Sequence, residues 1–352
     1  MTQIAAPEMS PTEIAPRNRQ LVLVTRPDQG ITADLWQLTE SATPEPDEGQ
    51  FLVRSRYLSI DPAMRGWIAA AANYSKPVPI GAPMRSFAVG EVVASRSLQY
   101  QVGEVLMGRF GWQDYCLCDG PEVDRRVDPE LAPISTALGV LGINGATGYL
   151  GLSLVGQPRV GETVLVSTAA GAVGSVVGQA ARIAGCRTVG LTGTDAKAAQ
   201  CRDLFRFDAT INYRNEPDLA AAIARVCPDG IDVYFDNVGG AVSDAAMGLL
   251  NDRARIVVCG TIGIPSDPPP LGPRYNRALL VKRARMEGFL VLDHLDKLDE
   301  VVETLAPWVR DGRMQYVEDV VDGLENAPAA LMRVLGGANE GKQLVRMTPE
   351  PR

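Results

Sequence analysis

The pattern of apolar and polar positions divides the chain into two regions of different rhythm. From about residue 20 to 130, short runs of β-branched and aromatic residues alternate with clusters of Pro, Gly and Asp, which is typical of β-strands joined by turns. The strands predicted here are Gln20–Thr25, Phe51–Leu58, Phe87–Ser95 and Val105–Gly108. This region is therefore predicted to form a β-rich unit.

From about residue 135, strand patterns alternate with helix patterns, which predicts βαβ units and a parallel sheet. The predicted strands are Thr163–Ser167, Thr188–Leu191, Ala209–Asn212, Ile231–Asp236, Arg255–Gly260 and Arg285–Leu292. The predicted helices are Gly174–Ala184, Ala196–Phe205, Asp218–Val226 and one that ends over Ala245–Leu250. Six strands in this rhythm fit a complete doubly wound domain.

The last forty residues are predicted to hold one helix, Ala327–Leu335, and one short strand, Lys342–Met347. A single strand needs a hydrogen-bonding partner, and the β-rich unit at the start of the chain is its natural host. The α/β region is therefore expected to be an insertion within the β-rich unit.

Residues 160 to 178 have the sequence VGETVLVSTAAGAVGSVVG, which combines a strand, a glycine turn and the start of a helix. Thr163–Ser167 is the strand, and the residues from Ala169 to Gly174 follow the dinucleotide fingerprint with Ala169 in place of its first glycine. A phosphate requires unpaired backbone N–H groups and close access, which a glycine turn at a helix N-terminus provides. Gly171 allows the main chain to approach a pyrophosphate, and Gly174 allows close packing of helix on strand. This segment predicts a dinucleotide site.

The end of the second strand of the α/β region indicates which dinucleotide binds. NAD-binding units usually place Asp or Glu there, about 20 residues after the glycines, whereas this chain has Thr192, Gly193 and Thr194. Asp195 follows and is expected to cap the next helix. Lys197 lies in the first turn of that helix, where it either binds the ribose phosphate or is a solvated surface lysine. The missing carboxylate, the hydroxyls and the one cation favour NADPH.

Length and charge narrow the function classes. A chain of 352 residues is long for a single core, so two domains are expected. A composition of 46% hydrophobic and 22% charged residues is typical of a soluble globular protein. A net charge of −8 argues against nucleic-acid binding. No apolar run approaches the ~20 residues of a membrane span, and the first 20 residues have no signal-peptide core. Neither a nucleic-acid nor a membrane partner is therefore expected.

Cysteine and histidine usage bears on metals and on location. The cysteines are at positions 116, 118, 186, 201, 227 and 259. The spacing of Cys116 and Cys118 does not fit a zinc clip, and Cys186 and Cys259 are expected to be small core residues. The one histidine, His294, is expected at the surface or at a helix start. No metal site is predicted, and free thiols favour a cytoplasmic location.

Several motifs carry a resemblance to a known family. They are YLSIDPAMR at 57–65, GATGYLGL at 145–152, the glycine segment at 169–178, FDNVGG at 235–240 and RARMEGF at 283–289. On these residues the chain resembles the medium-chain dehydrogenase/reductase superfamily. Within it, the chain is similar to the zinc-independent branch of leukotriene hydroxydehydrogenase/prostaglandin reductases and enone double-bond reductases.

The resemblance implies an α/β fold made of two domains. One is a GroES-like β-rich catalytic domain, residues 1–131 and 313–352, and the other is a doubly wound Rossmann domain, residues 132–312. It also implies that NADPH binds in the cleft between them and that the protein is a homodimer.

The resemblance further implies which residues contact NADPH. The pyrophosphate should meet Ala172, Val173, Gly174 and Ser175, beside Gly171. Lys197 and Tyr213 should face the adenosine phosphate, and Thr147 should lie near the carboxamide. The other implied cofactor residues are Asn237, Cys259, Gly260, Thr261, Ile262, Phe289, Leu290, Val291 and Asn339.

The chain departs from the family pattern at one position. Many members carry Tyr-Asn after the fifth strand, and that tyrosine hydroxyl is assigned to the substrate carbonyl, but this chain has Pro265 there. Tyr57 and Tyr275 remain as candidate catalytic hydroxyls, although an aromatic residue on a strand, such as Tyr57, is also typical of a core. The Pro-rich segment from 264 to 273 is expected to be a loop, either one wall of a substrate cleft or a bare connector.

The implied reaction is hydride transfer from NADPH to the β-carbon of an α,β-unsaturated ketone or aldehyde, without a metal. The protein's part is to orient the reactants, exclude water and donate hydrogen bonds to the carbonyl oxygen as charge develops there. Three alternatives stay open: reduction of quinones, oxidation of a secondary alcohol, and a non-catalytic NADPH-binding protein.

Overall fold

Two β-sheets and a two-stranded ribbon organise the chain, which the computed structural model describes at residues 14–28, 30–70, 74–264 and 271–347. The strands are β1 (Arg17–Leu23), β2 (Trp36–Ala42), β3 (Phe51–Ser59), β4 (Ala88–Ser95), β5 (Val105–Gly108), β6 (Tyr115–Cys118), β7 (Val123–Arg126), β8 (Thr163–Ser167), β9 (Arg187–Thr192), β10 (Ala209–Asn212), β11 (Ile231–Asp236), β12 (Leu250–Val258), β13 (Arg285–Gly288), β14 (Glu318–Asp322) and β15 (Lys342–Arg346). The α-helices are α1 (Met64–Trp67), α2 (Ile143–Leu150), α3 (Ala172–Ile183), α4 (Asp195–Asp203), α5 (Leu219–Val226), α6 (Gly240–Met247), α7 (Asn276–Lys282), α8 (Leu298–Arg310) and α9 (Ala327–Gly336).

The six-stranded sheet is parallel and has the order β10-β9-β8-β11-β12-β13. This is the doubly wound order: β8, β9 and β10 follow one another from the centre toward one edge of the sheet, and β11, β12 and β13 follow one another toward the other edge. All five residues of β8, the central strand, are buried, because helices cover both faces of such a sheet. The predicted doubly wound α/β fold is confirmed.

The seven-stranded sheet joins the two ends of the chain. Its order is β14-β15-β3-β4-β5-β7, and β6 also pairs with β3. β15 lies antiparallel to β3, with Val345 opposite Leu58. The late strand therefore finds its partner in the β-rich unit, as the sequence predicts, while the domain boundaries at 131/132 and 312/313 stay a prediction. We refer below to the seven-stranded sheet with β1, β2, α1 and α9 as the β-rich unit, and to the six-stranded sheet with α2 to α8 as the α/β unit.

Some element bounds differ from the sequence predictions. β12 begins at Leu250 rather than Arg255, so the preceding helix ends at Met247. β13 ends at Gly288, and the residues that were predicted to continue it turn away from the sheet. Thr194, and not Asp195, is the N-cap of α4, because its hydroxyl accepts the Lys197 N–H at 3.2 Å. The Asp195 carboxylate instead accepts from the side chains of Asn212 and Asn215.

Glycines allow α2 to pack closely on its neighbours within the α/β unit, and α3 contacts the segment that follows this unit. α2 is rich in glycine because other atoms occupy the space of a side chain: a Cβ at Gly145 would lie 1.9 Å from the Val140 carbonyl oxygen, and one at Gly148 would lie 3.0 Å from that of Val173. On α3, the Gln179 amide donates to the Gln315 carbonyl at 2.9 Å and accepts the Gln315 N–H at 2.7 Å. This reciprocal pair ties α3 to the segment that returns to the β-rich unit. Within the described residues, no helix is long and apolar enough to cross a bilayer.

Candidate active site

A cavity of about 910 Å³ lies between the two units. On the side of the α/β unit it is bounded by the residues that directly follow all six parallel strands, which is where open α/β sheets bind ligands. On the other side it is bounded by the segment from Ile60 to Trp67, by Tyr74 and Phe87, and by the segment from Val334 to Gln343. Every cofactor residue that the sequence predicts lines this cavity except Ser175, which is buried behind the turn and donates its N–H to the Gly171 carbonyl at 3.0 Å.

The glycine turn between β8 and α3 forms one wall of the cavity. Gly171 is the N-cap of α3 and has no side chain to cap the helix, so the N–H groups of Ala172, Val173 and Gly174 have no acceptor among the described residues. A Cβ at Gly174 would lie 2.3 Å from the Thr168 carbonyl oxygen, which confirms that this glycine permits close packing of helix on strand. Three free N–H groups at the positive end of a helix dipole suit a pyrophosphate.

Two cations and a hydroxyl converge beside the end of β9. The Lys197 ammonium donates to the Gly337 carbonyl of the β-rich unit at 2.7 Å. A Cβ at Gly193 would lie 3.1 Å from the Tyr213 hydroxyl oxygen and 3.3 Å from Arg214 Nε, so both side chains pass over this glycine. Burial first and the Arg214 guanidinium second lower the pKa of Lys197. The set suits a ribose phosphate, and Arg214, which the sequence analysis did not single out, belongs to it.

A buried carboxylate shapes the turn after β11. Asp236 is 5% exposed and accepts hydrogen bonds from the Tyr234 hydroxyl and from the N–H groups of Val238 and Gly239, each at 2.9 Å. Its backbone carbonyl accepts the N–H groups of Cys259 and Gly260, at the start of the turn after β12. The two turns that carry predicted cofactor residues are therefore held by one aspartate.

The residues after β13 approach the cavity beside α2. The Phe289 N–H donates to the Val258 carbonyl at 3.0 Å, and the Phe289 ring stacks on the half-buried His294 ring at 5.4 Å. Thr147 is buried and donates its hydroxyl to the Ile143 carbonyl at 2.6 Å. The sequence had indicated a surface or capping role for His294, whereas the structure shows it supporting a cavity wall.

A buried ion pair lies in the cavity wall on the β-rich side. The Lys342 ammonium donates to Asp61 Oδ1 at 2.7 Å, to Ser59 Oγ at 2.7 Å and to the Ile60 carbonyl at 3.1 Å. The side chains of Lys342 and Asp61 are only 4% and 12% exposed. Asn144 of α2 donates its amide to Asp61 at 3.4 Å. The pair thus fixes β15 against the end of β3, and no local sequence pattern predicts it because its members are far apart along the chain.

Neither of the two tyrosines expected to be catalytic candidates lines the cavity, and a third tyrosine does. Tyr57 lies on β3, and Tyr275 is the N-cap of α7 with its hydroxyl donating to Asp244; neither lines the cavity. Tyr74, which the sequence analysis did not single out, does line it. Desolvation raises the pKa of Tyr74, so its hydroxyl is protonated at neutral pH and can donate a hydrogen bond. Pro265 and the rest of 265–270 lie outside the described residues.

The described thiols, imidazole and carboxylates provide neither a thiolate nucleophile at Cys259 nor a cluster that could hold a metal. Cys259 lines the cavity, and burial raises the pKa of its thiol to about 12, so it is neutral and not a nucleophile. All six cysteines are free. Within the described part of the chain, no three His, Cys, Asp or Glu side chains are placed to hold a metal ion.

The proteins that are similar to this chain in sequence or in structure include NADP-dependent reductases and a protein solved with NADPH. Residues 19–125 match the family model of the N-terminal domain of oxidoreductases, and residues 172–308 match that of zinc-binding dehydrogenases. The chain is 40% identical to an NADPH-dependent curcumin reductase of Escherichia coli, over 94% of this chain and 97% of that protein. It is 39% identical to an NADP⁺-dependent 2-alkenal reductase of Nicotiana tabacum, over 85% and 88%. The structure of CurA from Vibrio vulnificus in complex with NADPH matches with a TM-score of 0.89 and 41% identity, over 94% of this chain and all of that one.

Proposed function

Because the chain belongs to the zinc-independent branch of the medium-chain dehydrogenase/reductase family, we propose that it reduces the carbon–carbon double bond of α,β-unsaturated ketones and aldehydes with NADPH. It is an NADP-dependent oxidoreductase, as its relatives are. The observation that carries the proposal is the cavity itself, which runs from a phosphate-binding end at Lys197 to an aromatic end at Trp67.

The residues of the cavity fit NADPH. The free N–H groups at the start of α3 suit the pyrophosphate. Lys197, Tyr213 and Arg214 suit the additional phosphate that distinguishes NADPH from NADH. The end of β9 carries no carboxylate that would repel this phosphate.

When bound, NADPH supplies the hydride for the β-carbon of the substrate. The chain's own residues have three tasks, and the first is to hold the β-carbon about 3–3.5 Å from the hydride donor. The second is to exclude water, for which the apolar end of the cavity offers Trp67, Phe87 and Ile143. The third is to donate a hydrogen bond to the carbonyl oxygen, where negative charge develops before a proton reaches the α-carbon. Tyr74 is the candidate donor, because its hydroxyl is protonated and its side chain lines the cavity.

The test is NADPH oxidation by the purified chain with aliphatic, cyclic and aryl enones, followed by product analysis. We expect saturated ketones or aldehydes with an intact carbonyl group and no loss of activity on treatment with a chelator. Carbonyl reduction instead of double-bond reduction would refute the proposal. Parallel reactions with quinones and with a secondary alcohol plus NADP⁺ test the two other chemistries, and tight NADPH binding without turnover on any acceptor would indicate a binding protein.

A homodimer is part of the proposal. β13 is an edge strand of the six-stranded sheet, and Leu280 and Val281 of the neighbouring α7 are 77% and 53% exposed. An open strand edge beside exposed apolar side chains is suited to pairing with a second copy. Light scattering should give the mass of two chains for the wild type and of one chain for Leu280→Glu, with Leu98→Glu on the other unit as the control. A monomeric wild type would exclude the dimer.

A cytoplasmic location is also proposed. Five of the six free cysteines are buried, and no disulfide joins any of them. Free thiols suit a reducing compartment. Fractionation of the native host with an antibody against the chain would test this, and recovery outside the cytoplasm would overturn it.

A further inference from the structure

Arg65 is the residue of α1 that reaches across the cavity to the α/β unit. Its Nη1 donates to the Ile262 carbonyl at 3.2 Å, and its Nη2 donates to the carbonyls of Thr261 and Ile264 at 3.2 and 3.3 Å. It forms no ion pair with any described carboxylate. Its charge is therefore directed at three carbonyl dipoles of one loop, which a planar guanidinium can engage together.

The base from which Arg65 extends is rigid. Met64 and Trp67 of α1 are 0% and 4% exposed and anchor this single helical turn in the core. The Met64 N–H donates to the Asp61 carbonyl at 3.1 Å, and the Asp61 side chain is paired with Lys342. Arg65 is thus fixed to the β-rich unit through the buried ion pair.

The loop that Arg65 contacts, Thr261–Ile264, leaves some of its backbone N–H groups without hydrogen bonds among the described residues. The Gly263 N–H donates to the Val238 carbonyl, and the Ile264 N–H donates to the Thr261 carbonyl. The N–H groups of Thr261 and Ile262 have no acceptor among the described residues, and both residues line the cavity. In a trans peptide the C=O and the N–H point in opposite directions. By holding the Thr261 carbonyl, Arg65 sets the plane of that peptide and so the direction of the Ile262 N–H.

We propose that Arg65 is a positioning residue that ties the β-rich unit to the loop Thr261–Ile264 and orients the Ile262 N–H toward NADPH. This rests on the proposed function, because it takes NADPH as the occupant of the cavity. The contact is made to backbone carbonyls, so its effect on the loop does not depend on the loop's side chains. It also does not involve the adenosine phosphate, which the proposed function assigns to the Lys197 end of the cavity.

The test compares NADPH and NADH binding by Arg65→Ala, Arg65→Lys and Arg26→Ala. Arg26 is the matched control, because its guanidinium also donates to two backbone carbonyls, those of Ile68 and Val78, but within the β-rich unit. We expect Arg65→Ala to raise the Kd of both cofactors by about tenfold, the lower range for hydrogen bonds to a charged group. Arg65→Lys should raise it less, because the ammonium keeps the charge and its donors but lacks the planar fork of the guanidinium. Arg26→Ala should leave both Kd values unchanged.

Turnover gives the second readout. The KM for NADPH should rise in Arg65→Ala while kcat at saturating NADPH changes by less than about threefold, and the thermal midpoint should fall no further than in Arg26→Ala. Wild-type Kd values in both Arg65 variants would overturn the proposal; if Arg65→Ala does not fold, an unchanged Kd in Arg65→Lys overturns it alone. A wild type that binds no NADPH would instead refute the proposed function, so the two failures are distinguishable.

Discussion

Lys197 offers the sharpest test of how the cavity selects its cofactor. The ammonium makes two contributions: it lines the end of the cavity proposed to bind the phosphate, and it donates to the Gly337 carbonyl of the β-rich unit. Lys197→Ala removes both. Loss of the Gly337 contact weakens NADPH and NADH equally, because it involves no cofactor atom. The ratio of the two affinities therefore isolates the contact with the phosphate.

The expected size of this effect follows from the position of the side chain. A hydrogen bond to a charged group contributes about 1.5–3 kcal/mol, and Lys197 is half-buried, so we take the lower part of this range. About 1.5–2 kcal/mol corresponds to a loss of roughly 10- to 30-fold in the preference for NADPH over NADH. Arg214 and Tyr213 remain in place, so the preference should weaken without reversing.

The assay is the Kd of each cofactor, followed by fluorescence, with Arg202→Ala as the control. Arg202 lies on the same helix, carries the same charge and donates to Thr210 on the protein surface. The control should leave the preference unchanged. An equal change of both Kd values in Lys197→Ala would refute the assignment of Lys197 to the phosphate, and a similar change in Arg202→Ala would show that net charge alone is responsible.

Three further predictions follow from the site and the core. Tyr74→Phe should lower kcat for enones by about 10²-fold with little change in the Kd of NADPH, because one donor to the developing oxyanion is lost. Tyr57→Phe should keep near wild-type turnover, since Tyr57 does not line the cavity; a larger loss of kcat in Tyr57→Phe than in Tyr74→Phe would assign the role to Tyr57. Lys342→Met should lower the free energy of unfolding by about 3–5 kcal/mol, because Asp61 is left buried without its partner, and adding Asp61→Leu should restore much of it; a stable single variant in urea unfolding would contradict this. Burial raises the pKa of Asp124 from 3.8 to about 6, so its contribution to stability is present below pH 4 and is lost as pH rises through about 6. Asp124→Asn should therefore exceed the wild type by about 1–2 kcal/mol at pH 7 and match it near pH 4, and a difference that does not change with pH would show that ionisation is not the cause.

Much of the six-stranded sheet is predictable from the sequence, because its strands are continuous apolar runs between turn residues. Ala209–Asn212 and Ile231–Asp236 have the predicted bounds. The helix Ile143–Leu150 is not predictable in this way, since its glycines are poor helix formers and are explained only by the atoms that Val140 and Val173 place beside them.

The residues proposed to bind the phosphates are likewise local in sequence, whereas the rest of the cavity depends on the tertiary structure. The fingerprint and the missing carboxylate lie within 40 residues of one another. Tyr74 and Lys342 enter the cavity from segments that no motif marks, and the motif at 57–65 does not itself show that Asp61 and Arg65 face the cavity. These side chains line one cavity only because the two units pack against each other in the folded structure.

The position of β15 between β14 and β3 has a consequence for the growing chain. Ser59 and Lys342, which meet in the cavity wall, are 283 positions apart, and every strand of the six-stranded sheet is encoded between them. A ribosome therefore releases the whole α/β unit before the β-rich sheet receives the strand that completes it. Until then the end of β3, from Tyr57 to Ser59, lacks its partner strand, and Asp61 lacks the Lys342 ammonium. The nascent protein is thus most exposed to misassociation at the stage when its nucleotide-binding half is already complete.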